Sequence, residues 1–169
     1  MRWWFAFLAL AGLGCATALS EVEVRTEQDP QIDFAGFHTF AQAEPRWETP
    51  VVGERVQREI ALEFESKGYR QAPLDEADLV IAFRARAVRA TRQQTVPDPD
   101  TFYYYRLERY IKGTLEIDVF DSGQKKRIWK GVGMVDVYSE GQAEAAAARA
   151  VAAILADFPE QGSEAASRS

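Results

Sequence analysis

Cysteine, histidine and positive charge are all scarce in this chain. Its 169 residues include one Cys and one His. A lone Cys cannot close an internal disulfide, and a lone His cannot build a multi-histidine metal site. The 20 Lys and Arg are outnumbered by 26 Asp and Glu, for a net charge of −6. That balance lacks the basic footprint of a nucleic-acid binder, so no nucleic-acid partner is expected. Outside the first twenty residues no uncharged run approaches the roughly 18 residues of a membrane helix. The whole chain is 47% hydrophobic and 27% charged, with 11 Gly and 7 Pro. This is the composition of an ordinary globular protein, at the length of one domain.

The first twenty residues read as an address. Met1-Arg2 is a short positive end, and Trp3 to Leu13 is an eleven-residue uncharged, mostly apolar run. Small residues follow, from Gly14 to Ala18. Charge, apolar core and small-residue zone form the layout of a secretory signal peptide. Eleven helical residues span about 16 Å, too short for a hydrocarbon core of about 30 Å. Two processing routes remain open. Leu10-Ala11-Gly12-Leu13-Gly14-Cys15 resembles a bacterial lipobox, with Gly12 where Leu is usual. Residues 1–14 would then be the lipoprotein signal peptide, Cys15 the lipidated first residue and 15–20 a short tether. Alternatively Ala16-Thr17-Ala18 is an A-x-A site, and cleavage there leaves a soluble periplasmic protein. Acyl chains on Cys15 would hold the chain to a membrane, because each buried CH2 contributes about 0.8 kcal/mol. Ala16 beside the Cys looks like the default for outer-membrane sorting, on the periplasmic face. The remaining domain loses Arg2 and is more acidic, so charge would repel it from an anionic leaflet within about 8 Å.

Residues 21–159 read as a single domain. Ser20 to Thr26 alternates, with Val22 and Val24 on one face, and Asp29-Pro30 breaks it. A short strand is expected at His38 to Phe40. Thr49, Pro50 and Gly68 bracket a helix as cap, first helical residue and left-handed terminator. Val52, Val56, Ile60 and Phe64 form its apolar stripe. Leu79 to Thr91 reads as a long strand in which Arg89 breaks the parity, a hint of a bulge. Arg92 to Asp100, with two prolines and no period, reads as a loop. Glu108 to Asp121 and Lys126 to Tyr138 alternate as two strands of a hairpin. Gly131 and Gly133 share one face, which suggests a backbone or ring close above it. Ser139 and Gln142 have the spacing of a capping box for a last helix. Its buried stripe is Ala143, Ala147, Val151, Ile154, Leu155 and Phe158, and Pro159 stops it. Residues 160–169 read as a disordered tail. The expected fold class is α+β: a two-layer sandwich, with two helices packed on one face of a mostly antiparallel sheet.

Several of these segments together resemble a known family. They are Asp33-Phe34 with Phe37 and Thr39-Phe40, Lys67-Gly68-Tyr69, and Ala77-Asp78-Leu79-Val80-Ile81. Gly113 to Asp121, Trp129-Lys130-Gly131 and Phe158-Pro159 complete the set. In this order they resemble the bacterial lipoprotein family catalogued as domain of unknown function 4136, over nearly the whole mature chain. The resemblance implies an envelope lipoprotein with an α+β domain and no established activity. One departure is Glu160, where the family often has a second proline.

Residues that could carry chemistry are few. His38 lies between Phe37 and Thr39 with no nucleophile or acid in a recognisable spacing, and reads as an outer-face histidine. Asp75-Glu76-Asp78 and Asp98-Pro99-Asp100 lack the ligand spacing of a calcium loop and read as solvated acidic loops. Gly131-Val132-Gly133 lacks the context of a dinucleotide site. No catalytic residue, metal or cofactor is expected, and the chain is not expected to be an enzyme. Two surfaces are candidates for contact. Arg84, Arg86, Arg89 and Arg92, with Lys112, Lys125, Lys126, Arg127 and Lys130 on neighbouring strands, could meet an anion. The alternative is cross-strand pairing of Arg84 and Arg86 with Glu116 and Asp118. Phe102, Tyr103, Tyr104 and Tyr105 cannot all face inward on a strand, so some are candidate partner or ligand contacts. The expected function is a non-enzymatic interaction or assembly domain, anchored to the outer membrane and meeting an envelope protein partner. The alternative is a periplasmic binding module for a small apolar or glycan ligand.

Overall fold

The structure, a computed structural model, describes residues 21–44 and 50–162. The signal segment, Cys15 and its tether, the Thr49 cap and residues 163–169 lie outside the described residues. The chain forms β1 (Glu23–Gln28), β2 (Thr39–Gln42), α1 (Pro50–Ser66), β3 (Arg70–Gln71), β4 (Leu79–Asp98), β5 (Phe102–Asp121), β6 (Lys126–Val137) and α2 (Ala143–Leu155). The strands make one sheet in the order β1-β6-β5-β4-β2-β3. β1, β6, β5 and β4 pair antiparallel, while β2 runs parallel to both β3 and β4. The fold is therefore α+β, with a mixed, mostly antiparallel sheet and two helices packed against it.

Period explains which face is covered. Ile81 and Phe83 on β4, Leu115, Ile117 and Val119 on β5, and Trp129 on β6 point to the helix side and are buried. Val56, Ile60 and Phe64 from α1, and Ala150, Val151, Ile154 and Leu155 from α2, close over them in one core. Phe158 sits past the end of α2, within 4.8 to 5.8 Å ring to ring of Phe34, Phe64, Tyr69 and Trp129. This aromatic cluster ties the segment before β2, both helix ends and the sheet together. Gly68 ends α1 with φ +95°, a conformation that glycine adopts without Cβ strain. A Cβ on Gly131 would overlap Ile154 Cγ2 and the Trp129 ring, and one on Gly133 would lie 2.8 Å from Ile154 Cδ1. Glycine at both places lets α2 approach the sheet.

Four expectations are corrected. The loop expected at Arg92 to Asp100 is strand as far as Asp98, and β5 begins at Phe102 instead of Glu108. The two strands form one uninterrupted ladder, from Leu79 opposite Asp121 to Asp98 opposite Phe102. No bulge marks Arg89. Its parity is that of the helix side, but the helices end short of it and leave it in water. The bulge lies between β5 and β6, at Val119/Phe120. The Ser139 capping box is not made: Ser139 opens a 3-10 turn without a side-chain cap, and Gln142 Oε1 accepts from Tyr138 N at 3.2 Å. Finally, Asp78 is not a solvated loop carboxylate. Its Oδ2 accepts from His38 N, Thr39 N and Thr39 Oγ1, each at 2.9 Å, joining the start of β2 to the entry of β4.

Candidate functional site

β6 stops at Val137 opposite Ile111, but β4 and β5 continue as a pair for nine more positions, from Ala90–Tyr110 to Asp98–Phe102. At about 3.4 Å per residue this two-stranded arm extends about 30 Å past the body of the sheet. Isolated ribbons of two strands are marginal in water. This one is fastened at its root. Arg92 Nε donates to Glu108 Oε2 at 2.7 Å, and Nη1 lies 4.0 Å from Asp136 Oδ2. The same guanidinium stands 5.7 Å from the Tyr110 ring centre and 5.3 Å from that of Tyr138. The hydrogen bond to Glu108 raises the Arg92 pKa above its ordinary value. Pro97 is tolerated because an outer strand can leave its missing N–H on the open edge.

The tip is a tight turn. Asp98 Oδ1 accepts from Asp100 N at 3.0 Å, Thr101 N at 2.8 Å and Thr101 Oγ1 at 3.0 Å. The bonds from Thr101, then that from Asp100, hold the Asp98 carboxyl below its ordinary pKa. Phe102 follows with φ +67°, a left-handed backbone that is costly for a bulky side chain. The residue is 87% exposed. Tyr103, Tyr105 and Leu107 are exposed on one face of the arm, and Phe102 and Tyr104 on the other. Tyr103 and Tyr105 meet edge to face at 5.6 Å. The four aromatic residues are thus gathered at the end of a lever that buries none of them.

The arginines do not form one patch. Arg84, Arg86 and Arg92 share the face turned away from the helices, and Arg89 lies on the other. Arg84 is opposite Glu116, at 3.9 Å, and Arg86 is opposite Thr114, so the pairing expected for Arg84 is present and that for Arg86 is not. Lys130 Nζ holds Glu116 at 3.0 Å, Arg127 holds Asp118 at 3.3 Å, and Lys126 pairs with Asp29. The Lys130 hydrogen bond keeps Glu116 below its usual pKa, whereas burial, then repulsion from Glu116, push Asp118 up. Carboxylates therefore neutralise much of the positive charge on this face.

A cleft of about 520 Å³ opens where the arm leaves the body. Its walls are Val52 and Gly53 at the start of α1, Ala143, Ala146 and Ala147 on α2, and Ile111 and Val135 on the sheet, with Glu140 and Glu144 among its lining residues. Alanines along α2 leave this space because they are too short to bridge it to α1. The cleft carries no sequence motif, and only the run of alanines could have suggested it. His38 is exposed towards the other end of the sheet, where Asp78 precedes β4, and lies beside Gln161 Nε2. Among the described residues no group of three or more His, Cys, Asp and Glu is placed to hold a metal ion. No helix among them is long and apolar enough to cross a membrane.

The family profile described as "Domain of unknown function (DUF4136)" matches residues 24–160. The chain belongs to the DUF4136 family. No curated protein matches this DUF4136 chain in sequence. Among solved structures it is similar to the PelC dodecamer from Paraburkholderia phytofirmans, with a TM-score of 0.54 and 18% identity. That match covers 80% of this chain and 95% of the other. A PDZ domain protein from Parabacteroides distasonis superposes with a TM-score of 0.58 and 12% identity, over 85% of this chain and 38% of that one. At such identities the likeness extends to the fold of the DUF4136 domain.

Proposed function

We propose that this DUF4136 chain is a non-enzymatic envelope lipoprotein, held by acyl chains on Cys15, whose arm is its contact element. The observation that carries the reading is the arm itself. A ribbon of about 30 Å that exposes four aromatic residues and Leu107 gains little from the domain it leaves. Exposed aromatic clusters of this kind are the usual anchors of a contact. The leader segment and the lipobox-like run ending in Cys15 support an envelope location. The fold shared with a protein that assembles as a dodecamer supports an assembly role. The test is a photo-crosslinker at Tyr105 in whole envelopes, together with fractionation of the Cys15→Ser variant. The reading expects the arm to form an adduct with an envelope component, protein or lipid, and expects release of Cys15→Ser from membranes. An arm that yields no adduct, or retention of Cys15→Ser, would contradict it.

The cleft favours a second reading, a binding module for a small apolar ligand. Its volume lies in the range of small-molecule sites and its walls are mostly apolar. A ligand screen read as thermal stabilisation tests it, with Ala146→Leu as the variant that fills the space. Stabilisation that Ala146→Leu abolishes would support this reading, and none across a lipid and glycan panel would discard it.

A further inference from the structure

The sheet sets a geometric relation between the two ends of this reading. β1 runs antiparallel to β6, with Glu23 opposite Met134 and Gln28 opposite Trp129. The chain therefore enters the domain at the Met134–Val137 end of the sheet. Val22 packs there with Val135, Val137 and Ala146. The arm leaves from this same end, beyond Ile111 opposite Val137. The turn after β5, at Ser122 to Lys125, lies at the other end.

Cys15 is six residues before Glu21. Six residues reach about 21 Å at full extension, less than the arm's reach of about 30 Å. A domain fastened by Cys15 is thus tethered more closely than its arm is long. Because the arm leaves the sheet at the end where the tether enters, its tip meets the surface that holds the acyl chains. The tip has the chemistry of that boundary. Tyrosines combine an apolar ring with a polar hydroxyl, the character of residues at membrane interfaces. Phe102 and Leu107 offer apolar surface, 87% and 70% exposed. Asp98 spends one oxygen on the turn, and Arg106 lies beside Tyr104 with Nη2 3.3 Å from the hydroxyl. Asp98 and the exposed Asp100 at the turn outnumber Arg106 on the outer arm, so the contact is with the interfacial layer of a zwitterionic lipid surface and not with anionic headgroups.

We infer that the Phe102–Leu107 end of the arm is a second membrane contact, which inserts into the bilayer interface and sets the orientation of the anchored domain. The inference rests on the anchored reading above and names the partner of the arm. The test uses the mature chain isolated with its acyl group and reconstituted into phosphatidylcholine vesicles. An environment-sensitive fluorophore is placed at Pro99→Cys on the tip or at Gln124→Cys at the far end. The expected result is a blue shift and quenching by doxyl-labelled lipid at the tip, with neither at residue 124. Combining Phe102→Gly, Tyr104→Ser and Leu107→Ser should abolish the tip signal while the chain still floats with vesicles. Phe102→Gly also relaxes the left-handed backbone, so loss of signal would not come from strain at that position. A floating chain whose tip stays as wet as residue 124 overturns the inference and leaves the anchor standing. An acylated chain that does not float overturns both. A tip probe already dry without vesicles, in proportion to protein concentration, means a second copy covers it and also overturns the inference.

Discussion

Replacing Gly133 with alanine should destabilise the domain, and shortening Ile154 should restore part of the loss. An added Cβ would lie 2.8 Å from Ile154 Cδ1, 2.9 Å from Cγ1 and 3.4 Å from Val22 Cγ1. Ile154 is fully buried in the core, so it has little room to move. Overpacking of this kind costs about 1–3 kcal/mol. The more restricted unfolded chain gives back about 0.4–1 kcal/mol, for a net loss of about 1–2 kcal/mol. Ile154→Ala alone should cost about 2–5 kcal/mol through the cavity it leaves. In the double variant the new methyl occupies part of that cavity, so the losses should fall short of additive by about 1 kcal/mol. Gly131→Ala supplies the contrast. Its Cβ also meets the Trp129 ring, which Ile154→Ala does not remove, so its rescue should be smaller. Urea unfolding of the four chains in each cycle measures the coupling through midpoints at constant m. Additivity within about 0.5 kcal/mol at Gly133 would refute the contact between α2 and β6.

Three further outcomes follow from other contacts. Burial raises the Asp78 carboxyl, but the bonds from His38 and Thr39 outweigh it and hold its pKa below the ordinary value. Its stabilising contribution is complete above the unfolded carboxylate pKa of about 3.9 and is lost as pH falls through the lower folded value. Asp78→Ala should therefore cost about 1–2 kcal/mol at pH 7, and its deficit against the parent should shrink in acid unfolding curves. Burial pushes the Tyr69 phenol up to about 12. Stability should be level below the unfolded tyrosine pKa of about 10 and fall between that pH and about 12. Tyr69→Phe should flatten this fall, as followed by circular dichroism. Arg92→Ala removes the root of the arm, so limited proteolysis should cut between residues 90 and 110 faster while the urea midpoint barely moves.

What the sequence made legible tracks how much of each segment is buried on one side. α1 was readable because Val52, Val56, Ile60 and Phe64 mark one face and Gly68 ends it. The inner half of β5 was readable because Leu115, Ile117 and Val119 alternate with residues facing away from the core. Gly131 and Gly133 signalled a close approach, and Ile154 with the Trp129 ring supplies it. The arm was hidden for the converse reason. A ribbon with water on both faces has no apolar period, so the spelling of Arg92 to Asp100 resembles a loop. β3, at two residues, is too short to leave a period. The Asp78 clamp joins partners about 40 positions apart, and nothing in the local spelling marks it. The cleft needed both helix positions before its alanines meant space. The sequence groups the arginines on one surface because strand parity beyond the helices has no core to define it.

The proposed anchoring requires acyl chains on Cys15. Intact mass spectrometry of the mature protein, extracted from membranes, tests it most directly. The expected species is a chain beginning at Cys15 with the added mass of a diacylglyceryl group, lost on Cys15→Ser. A chain beginning at Leu19, without lipid and recovered from the periplasmic fluid, would contradict it.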